Sequence, residues 1–354
     1  MKNHHTTLPL LAALALLAGC NPPGRDSAGE TKSAAGDPAK RTFVAPGEKD
    51  EYYLFYSGGH SGQVFVAGLP SMRHISTIPV FSPYSGTGYG FDEESKKMLG
   101  EFTWGDVHHP GLSQTDSLYD GRWLFVNDNA NNRVARIDLR DFKTHQILGP
   151  IPNSSGNHGS SFVTGNTEYI LVASRFSVPL PKRRYAHPAD YEKEFNGMVS
   201  GIKVDNATGT MSVGWQILTP PFDWDLGSTG KGPSSGWAFW TSYNSEMAHE
   251  TLEATSTQGE RDYAAVVNWR AAEKAAKDGL VTTLEGVPVI DPAKAPGVLY
   301  FLPIPKSPHG IDVDPSGRWI AAGGKLQPVA SVFDFEKIQA AIATCERFGV
   351  PFAL

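Results

Sequence analysis

Residues 101–139 read EFTWGDVHHPGLSQTDSLYDGRWLFVNDNANNRVARIDL, and this stretch decides the fold. It opens on adjacent histidines, His108 and His109, set between Asp106-Val107 and Pro110-Gly111. A polar turn, Tyr119-Asp120-Gly121, leads into a short apolar strand, Trp123-Leu124-Phe125-Val126. A second turn, Asn127-Asp128-Asn129, leads towards Val134-Ala135-Arg136-Ile137, where apolar residues alternate with others. The pattern is strand, turn, strand, with histidines at the entrance. Neighbouring residues of a strand point to opposite faces. His108 and His109 therefore reach one ligand only if the backbone bends there, and Pro110-Gly111 supplies a bend. Alone, a histidine pair is a weak motif and also fits an ordinary surface loop.

The same arrangement recurs along the chain. Asn157-His158-Gly159-Ser160-Ser161-Phe162 precedes a turn, Gly165-Asn166-Thr167, and then Tyr169-Ile170-Leu171-Val172-Ala173. Pro308-His309-Gly310-Ile311-Asp312 precedes Pro315-Ser316-Gly317 and then Arg318-Trp319-Ile320-Ala321-Ala322. His158 lies 49 residues after His109, and His309 lies 151 after His158, close to three times the first gap. A period of about 40–50 residues with several short strands per unit marks β-propeller blades. Equivalent positions of successive blades converge on the central channel. Repetition would thus bring His108, His109, His158 and His309 to one end of one channel.

Four segments carry a family resemblance: DVHHPGLSQTD, GRWLFVNDNANNRVARID, GNHGSSF and PHGIDVDPSG. Over most of residues 50–340 the chain resembles the propeller part of the nitrous oxide reductase family. The resemblance implies a seven-bladed propeller with a tetranuclear copper–sulfide cluster held by seven histidines, and a following cupredoxin domain with a dinuclear copper centre for electron entry. His108, His109, His158 and His309 are then the first four cluster ligands and the catalytic residues. It further implies nitrous oxide as substrate, a cytochrome c or cupredoxin as electron donor, copper-delivery proteins as partners, and a head-to-tail homodimer. The segment Thr241-Ser242-Tyr243-Asn244-Ser245-Glu246 also matches. By resemblance, calcium is held by Tyr243, Glu246, the main chain near Ala254, Glu260 and Ser307, where the family pattern has asparagine.

Around these motifs the chain reads in order as follows. Residues 1–20 form a signal segment, with Lys2 before a short apolar run, Leu8 to Gly19, too short to span a membrane. Its end, Leu17-Ala18-Gly19-Cys20, resembles a bacterial lipoprotein signal, with Cys20 lipidated and the protein periplasmic. Residues 21–49, rich in Pro, Gly, Ser, Ala and charge, read as a flexible linker, and residues 50–354 as a partial propeller. Short strands are expected from Tyr52, Gln63, Ile75, Met198, Met211, Val298, Trp319 and Ala330. Helices are expected at Ala189 to Phe195, at Ser245 to Thr255, over the alanine-rich Asp262 to Ala276, and from Phe335 to Arg347. Gaps and insertions leave room for about five blades. Three cluster histidines and the cupredoxin domain would fall beyond residue 354, so the chain reads as a partial form without turnover of its own.

Chemistry narrows the function classes. A net charge of −6 gives no basic footprint for nucleic acid. Two cysteines, Cys20 and Cys345, do not indicate a disulfide framework, and Cys345 reads as a packed thiol. Reduction of nitrous oxide needs two electrons that side chains cannot supply, hence a redox metal. Imidazole suits copper but also zinc and nickel. Ligating rings need a carboxylate or carbonyl on the other nitrogen, for which Asp106, Asp116 and Asp128 are candidates. Two rival classes are a non-catalytic secreted propeller scaffold and a zinc hydrolase, the latter lacking an obvious general base. His60, His74, His145, His187 and His249 lack the shared local context and are expected away from the site.

Overall fold

The computed structural model describes residues 37–158, 161–181, 186–187, 190–242, 262–305, 308–324 and 328–348. The signal segment, Cys20, most of the expected linker, the expected helix at 245–255, His249 and all five calcium candidates lie outside the described residues. The chain divides into two units, Met1–Phe43 and Val44–Leu354. In the first, the described residues form a short helix, α1 (Pro38–Thr42), whose Ala39 amide donates to the Asp37 carboxylate at the N-cap. No described helix is long and apolar enough to cross a membrane.

The second unit is a series of five sheets, antiparallel except for one strand pair of the third. The first holds β1 (Tyr52–Ser57), β2 (Gln63–Leu69) and β3 (His74–Pro79). Helix α2 (Glu93–Leu99) follows, with Asp92 accepting the Ser95 amide at its N-cap. The second sheet is β4 (Gly111–Thr115), β5 (Leu118–Asp128), β6 (Arg133–Asp138) and β7 (Lys143–Leu148). The third builds from β8 (Phe162–Val163), β9 (Tyr169–Ala173), β10 (Val178–Pro179), and, after α3 (Tyr191–Glu194), β11 (Phe195–Val204) and β12 (Met211–Thr219). The fourth begins with β13 (Trp224–Thr229), β14 (Trp237–Ser242) and β15 (Asp262–Asn268). After α4 (Trp269–Lys277), the hairpin β16 (Thr282–Leu284) and β17 (Val287–Ile290) returns to the third sheet, where β17 pairs parallel with β12. Strand β18 (Leu299–Ile304) then closes the fourth sheet on β15. The fifth is β19 (Pro308–Val313), β20 (Trp319–Gly324) and β21 (Ala330–Asp334), followed by α5 (Phe335–Phe348).

Each pair of consecutive sheets encloses its own core, and strand alternation explains how. On β5, Leu124 and Val126 pack towards the first sheet with Val64, Val66 and Ile78. Trp123 and Phe125 point the other way and meet Val163, Ile170 and Val172 of the third. Strands buried on both faces read as continuous apolar runs. Trp215, Trp224 and Trp240 fill the space between the third and fourth sheets, and Phe239, Leu302, Ile311 and Ile320 that between the fourth and fifth. One end strand of every sheet, β1, β4, β8, β13 and β19, faces a common cavity of about 590 Å³. Stacked sheets with their end strands on one axial cavity are the blades of a β-propeller. The ring is not closed: Tyr52, Leu54 and Tyr56 of the first blade and Trp319 and Val332 of the last keep apolar surface exposed.

Two expectations need correction. Residues 262–268 are strand β15, not the start of a helix, which begins at Trp269. Ala265 and Val267 belong to one core and Ala264 and Val266 to the next, so burial on both faces hides the period of two. Four-stranded blades are expected of a propeller, and they are not uniform here: the end sheets have three strands and the third has seven.

Candidate metal centre

The bend expected beside the histidine pair is a β-bulge. Val107 bridges Asp128 of β5, and Gly111 pairs with Phe125. Between these anchors the histidine strand takes four steps while β5 takes three, so one residue is extra. A bulge of this kind re-aims side chains that a regular strand would send to opposite faces. It lets His108 and His109 turn towards one point, with ring centroids 5.6 Å apart. Only glycine fits at 111: a Cβ there would stand 2.1 Å from the Ser161 carbonyl oxygen of the neighbouring blade.

His158 arrives on the segment that leads into β8. Its ring lies 4.7 Å from that of His108 and 5.2 Å from that of His109. One ligand atom from each of the three rings falls within 4.8 Å of the others. His309, on β19, is exposed and stands outside this group of three. It is close enough for its charge to oppose protonation of His109 and to favour ionised Asp225.

Two carboxylates fix two of the rings. His108 Nε2 lies 2.9 Å from Asp106 Oδ2, and His158 Nδ1 lies 2.7 Å from Asp225 Oδ1. A carboxylate can only accept, so these nitrogens carry the protons. The lone pairs are left on Nδ1 of His108 and Nε2 of His158, as a metal-ligating imidazole requires. Burial raises the Asp225 carboxyl, but the His158 hydrogen bond and the charges of His158 and His309 outweigh it and hold it below the usual carboxylate range. His109 is different. Burial, aided by the charges of His158 and His108, brings its pKa down to about 4. Its Nε2 is buried and has no hydrogen-bond partner among the described residues. A buried imidazole nitrogen with no partner, beside two rings with oriented lone pairs, fits a bound metal cation.

Of the suggested acceptors, Asp106 meets a ligand ring, whereas Asp128 accepts the Asp106 amide at 2.9 Å and bonds to no histidine ring among the described residues. Asp116 sits in a tight turn, its amide donating to Asn166 Oδ1. Asp225 carries no local sequence signal, because it lies 67 residues from His158 on another blade. His60 is nearer than expected: Nδ1 is 3.5 Å from Asp106 Oδ1, and the ring stacks on Trp104. His74 contacts Thr77 and His145 contacts Asp141, both outside the cluster. His187 is exposed, and Cys345 is a half-buried free thiol on α5.

Fold and site together define an open β-propeller with a convergent imidazole cluster beside its axial cavity. Curated relatives give this class a family. The nitrous-oxide reductase of Pseudomonas fluorescens is 37% identical over 336 residues, which is 92% of this chain and 51% of that protein. That of Stutzerimonas stutzeri is 36% identical over 309 residues, 84% of this chain and 47% of that protein. The chain belongs to the nitrous-oxide reductase family over this span, and it covers about half the length of the curated relatives it matches. Among solved structures, Kuenenia stuttgartiensis hydrazine synthase has a similar fold, with a TM-score of 0.51 at 11% identity over 82% of this chain and 64% of that one. No family model matches the chain.

Proposed function

We propose that this propeller holds copper through His108, His109 and His158, with His309 as a fourth ligand, and serves the two-electron reduction of nitrous oxide to dinitrogen and water. The observation that carries the reading is the buried, partnerless Nε2 of His109 between two carboxylate-oriented rings. Copper would supply the electrons and an electrophilic centre for an otherwise inert substrate. The protein's own contribution is positioning. Asp106 and Asp225 hold the rings of His108 and His158 with their lone pairs directed away from the carboxylates. Burial keeps His109 neutral at physiological pH, so its nitrogen is available without first losing a proton. Imidazole donors alone do not select copper over zinc, and family membership supports the choice.

The test is metal analysis of the chain matured with copper-delivery proteins. Copper should be retained, and should be lost in His108→Ala, His109→Ala or His158→Ala but kept in His145→Ala. Retention of zinc in place of copper, or unchanged copper in all three variants, would overturn the reading. The sequence also supports periplasmic export with lipid on Cys20, through Lys2, the apolar run from Leu8 and Leu17-Ala18-Gly19-Cys20. Calcium at Tyr243, Glu246, Ala254, Glu260 and Ser307, a cytochrome c or cupredoxin donor and a head-to-tail homodimer rest on the family resemblance.

A further inference from the structure

We infer that Asn127 is a positioning residue that locks the two histidine-bearing segments together and thereby sets the spacing of the cluster. This rests on the metal reading of the three rings. The bulge leaves the His109 amide without a strand partner. Asn127, fully buried on β5, fills that gap: its Oδ1 accepts the His109 amide at 2.7 Å. The same side chain donates through Nδ2 to the carbonyl of Asn157 at 2.7 Å. Asn157 is the residue before His158, and it is itself fully buried, with Nδ2 donating to the Arg133 carbonyl at 2.9 Å. One carboxamide therefore joins the bulged strand of the second blade to the segment that enters the third.

The chemistry of the residue type matters. The site needs an acceptor on one side and a donor on the other, in a space closed to water. Of the neutral side chains of this length, only a carboxamide offers both. Aspartate keeps the acceptor for His109 but places a second acceptor against the Asn157 carbonyl. Alanine leaves both backbone groups buried and unpaired, a costly arrangement. Neither Asn127 nor Asn157 bonds to an imidazole nitrogen in the structure, so their action on the metal is indirect, through where the rings stand. Groups that orient metal ligands change affinity by about 10- to 100-fold when removed.

The experiment titrates apo protein with Cu(II) alone, following affinity by calorimetry and ligation by electron paramagnetic resonance. Compared are wild type, Asn127→Asp, Asn127→Ala and a control, Gln216→Leu. Gln216 is an equally buried carboxamide, bonded to Pro152 and Ser200, that touches no histidine-bearing residue. Asn127→Asp and Asn127→Ala should bind Cu(II) at least about tenfold more weakly, with altered nitrogen hyperfine structure. Gln216→Leu should lose stability but keep both affinity and spectrum. Hydrogen exchange on the wild type should show the His109 amide strongly protected, a readout that holds even if the Asn127 variants do not fold. An exposed His109 amide, unchanged copper binding in folded Asn127 variants, or an equal loss in Gln216→Leu would overturn the inference. Wild type that binds no Cu(II) but protects the His109 amide would instead overturn the metal reading and leave the interblade link standing.

Discussion

Replacing Arg133 with methionine should destabilise the propeller more than any surface change, and the structure sets the scale. Arg133 is 1% exposed and donates through Nε to Asp128 Oδ2 at 2.7 Å. Its other nitrogens reach the carbonyls of Leu99, Phe102 and Trp104 at 3.0 to 3.3 Å. The guanidinium lies over the rings of Phe81 and Phe102. Methionine fills much of the volume but leaves the fully buried Asp128 carboxylate without its cation. Breaking a buried pair on one side costs about 3–5 kcal/mol. At roughly 2 °C per kcal/mol for a domain of this size, the melting temperature should fall by about 6–10 °C. Removing both partners, as Arg133→Met with Asp128→Asn, should recover most of the loss, because no buried charge then remains. Urea unfolding of the single and double variants provides the comparison. A single variant within about 1 kcal/mol of wild type, or a double variant as unstable as the sum of the singles, would refute the reasoning. The consequence reaches the site, since Asp128 also holds the Asp106 amide.

Two further outcomes follow from the same geometry. Asp225→Ala should fold but bind Cu(II) about 10- to 100-fold more weakly by calorimetry, because the His158 ring loses the carboxylate that anchors it. Asp138 has a pKa of about 2, held down chiefly by its hydrogen bond to Arg140. Its stabilisation is present above the unfolded value near 3.8 and is lost as pH falls through about 2. Arg140→Ala should therefore lower stability only slightly at neutral pH, the water-exposed guanidinium being screened, and flatten the acid limb of the stability profile followed by urea unfolding.

Much of the fold was legible because strand alternation and turn residues are local signals. Trp123 to Val126, Tyr169 to Ala173 and Trp319 to Ala322 fall in strands where the pattern places them. Asp262 to Asn268 misled because alanine favours helix and both faces are buried, so no polar residue marks the period. Helix α2 carried its signal in Asp92-Glu93-Glu94, an N-cap followed by acids, which the strand pattern around it obscured. At the site, the bend beside His108 and His109 was readable from Pro110-Gly111. The structure adds that it is a bulge against β5, a property of register rather than composition. Asp106 was readable because it lies two residues from His108. Asp225 and Asn127 were not, since their roles arise from contacts between blades that no local pattern records.

The most direct test of the central claim is X-ray absorption at the copper edge on Cu(II)-loaded protein. The account predicts at least three imidazole nitrogens at about 2.0 Å from copper, the distance usual for imidazole on such ions. That signature should collapse when His108, His109 and His158 are replaced together with alanine. Copper bound mainly by oxygen, or an unchanged imidazole signature in the triple variant, would contradict it.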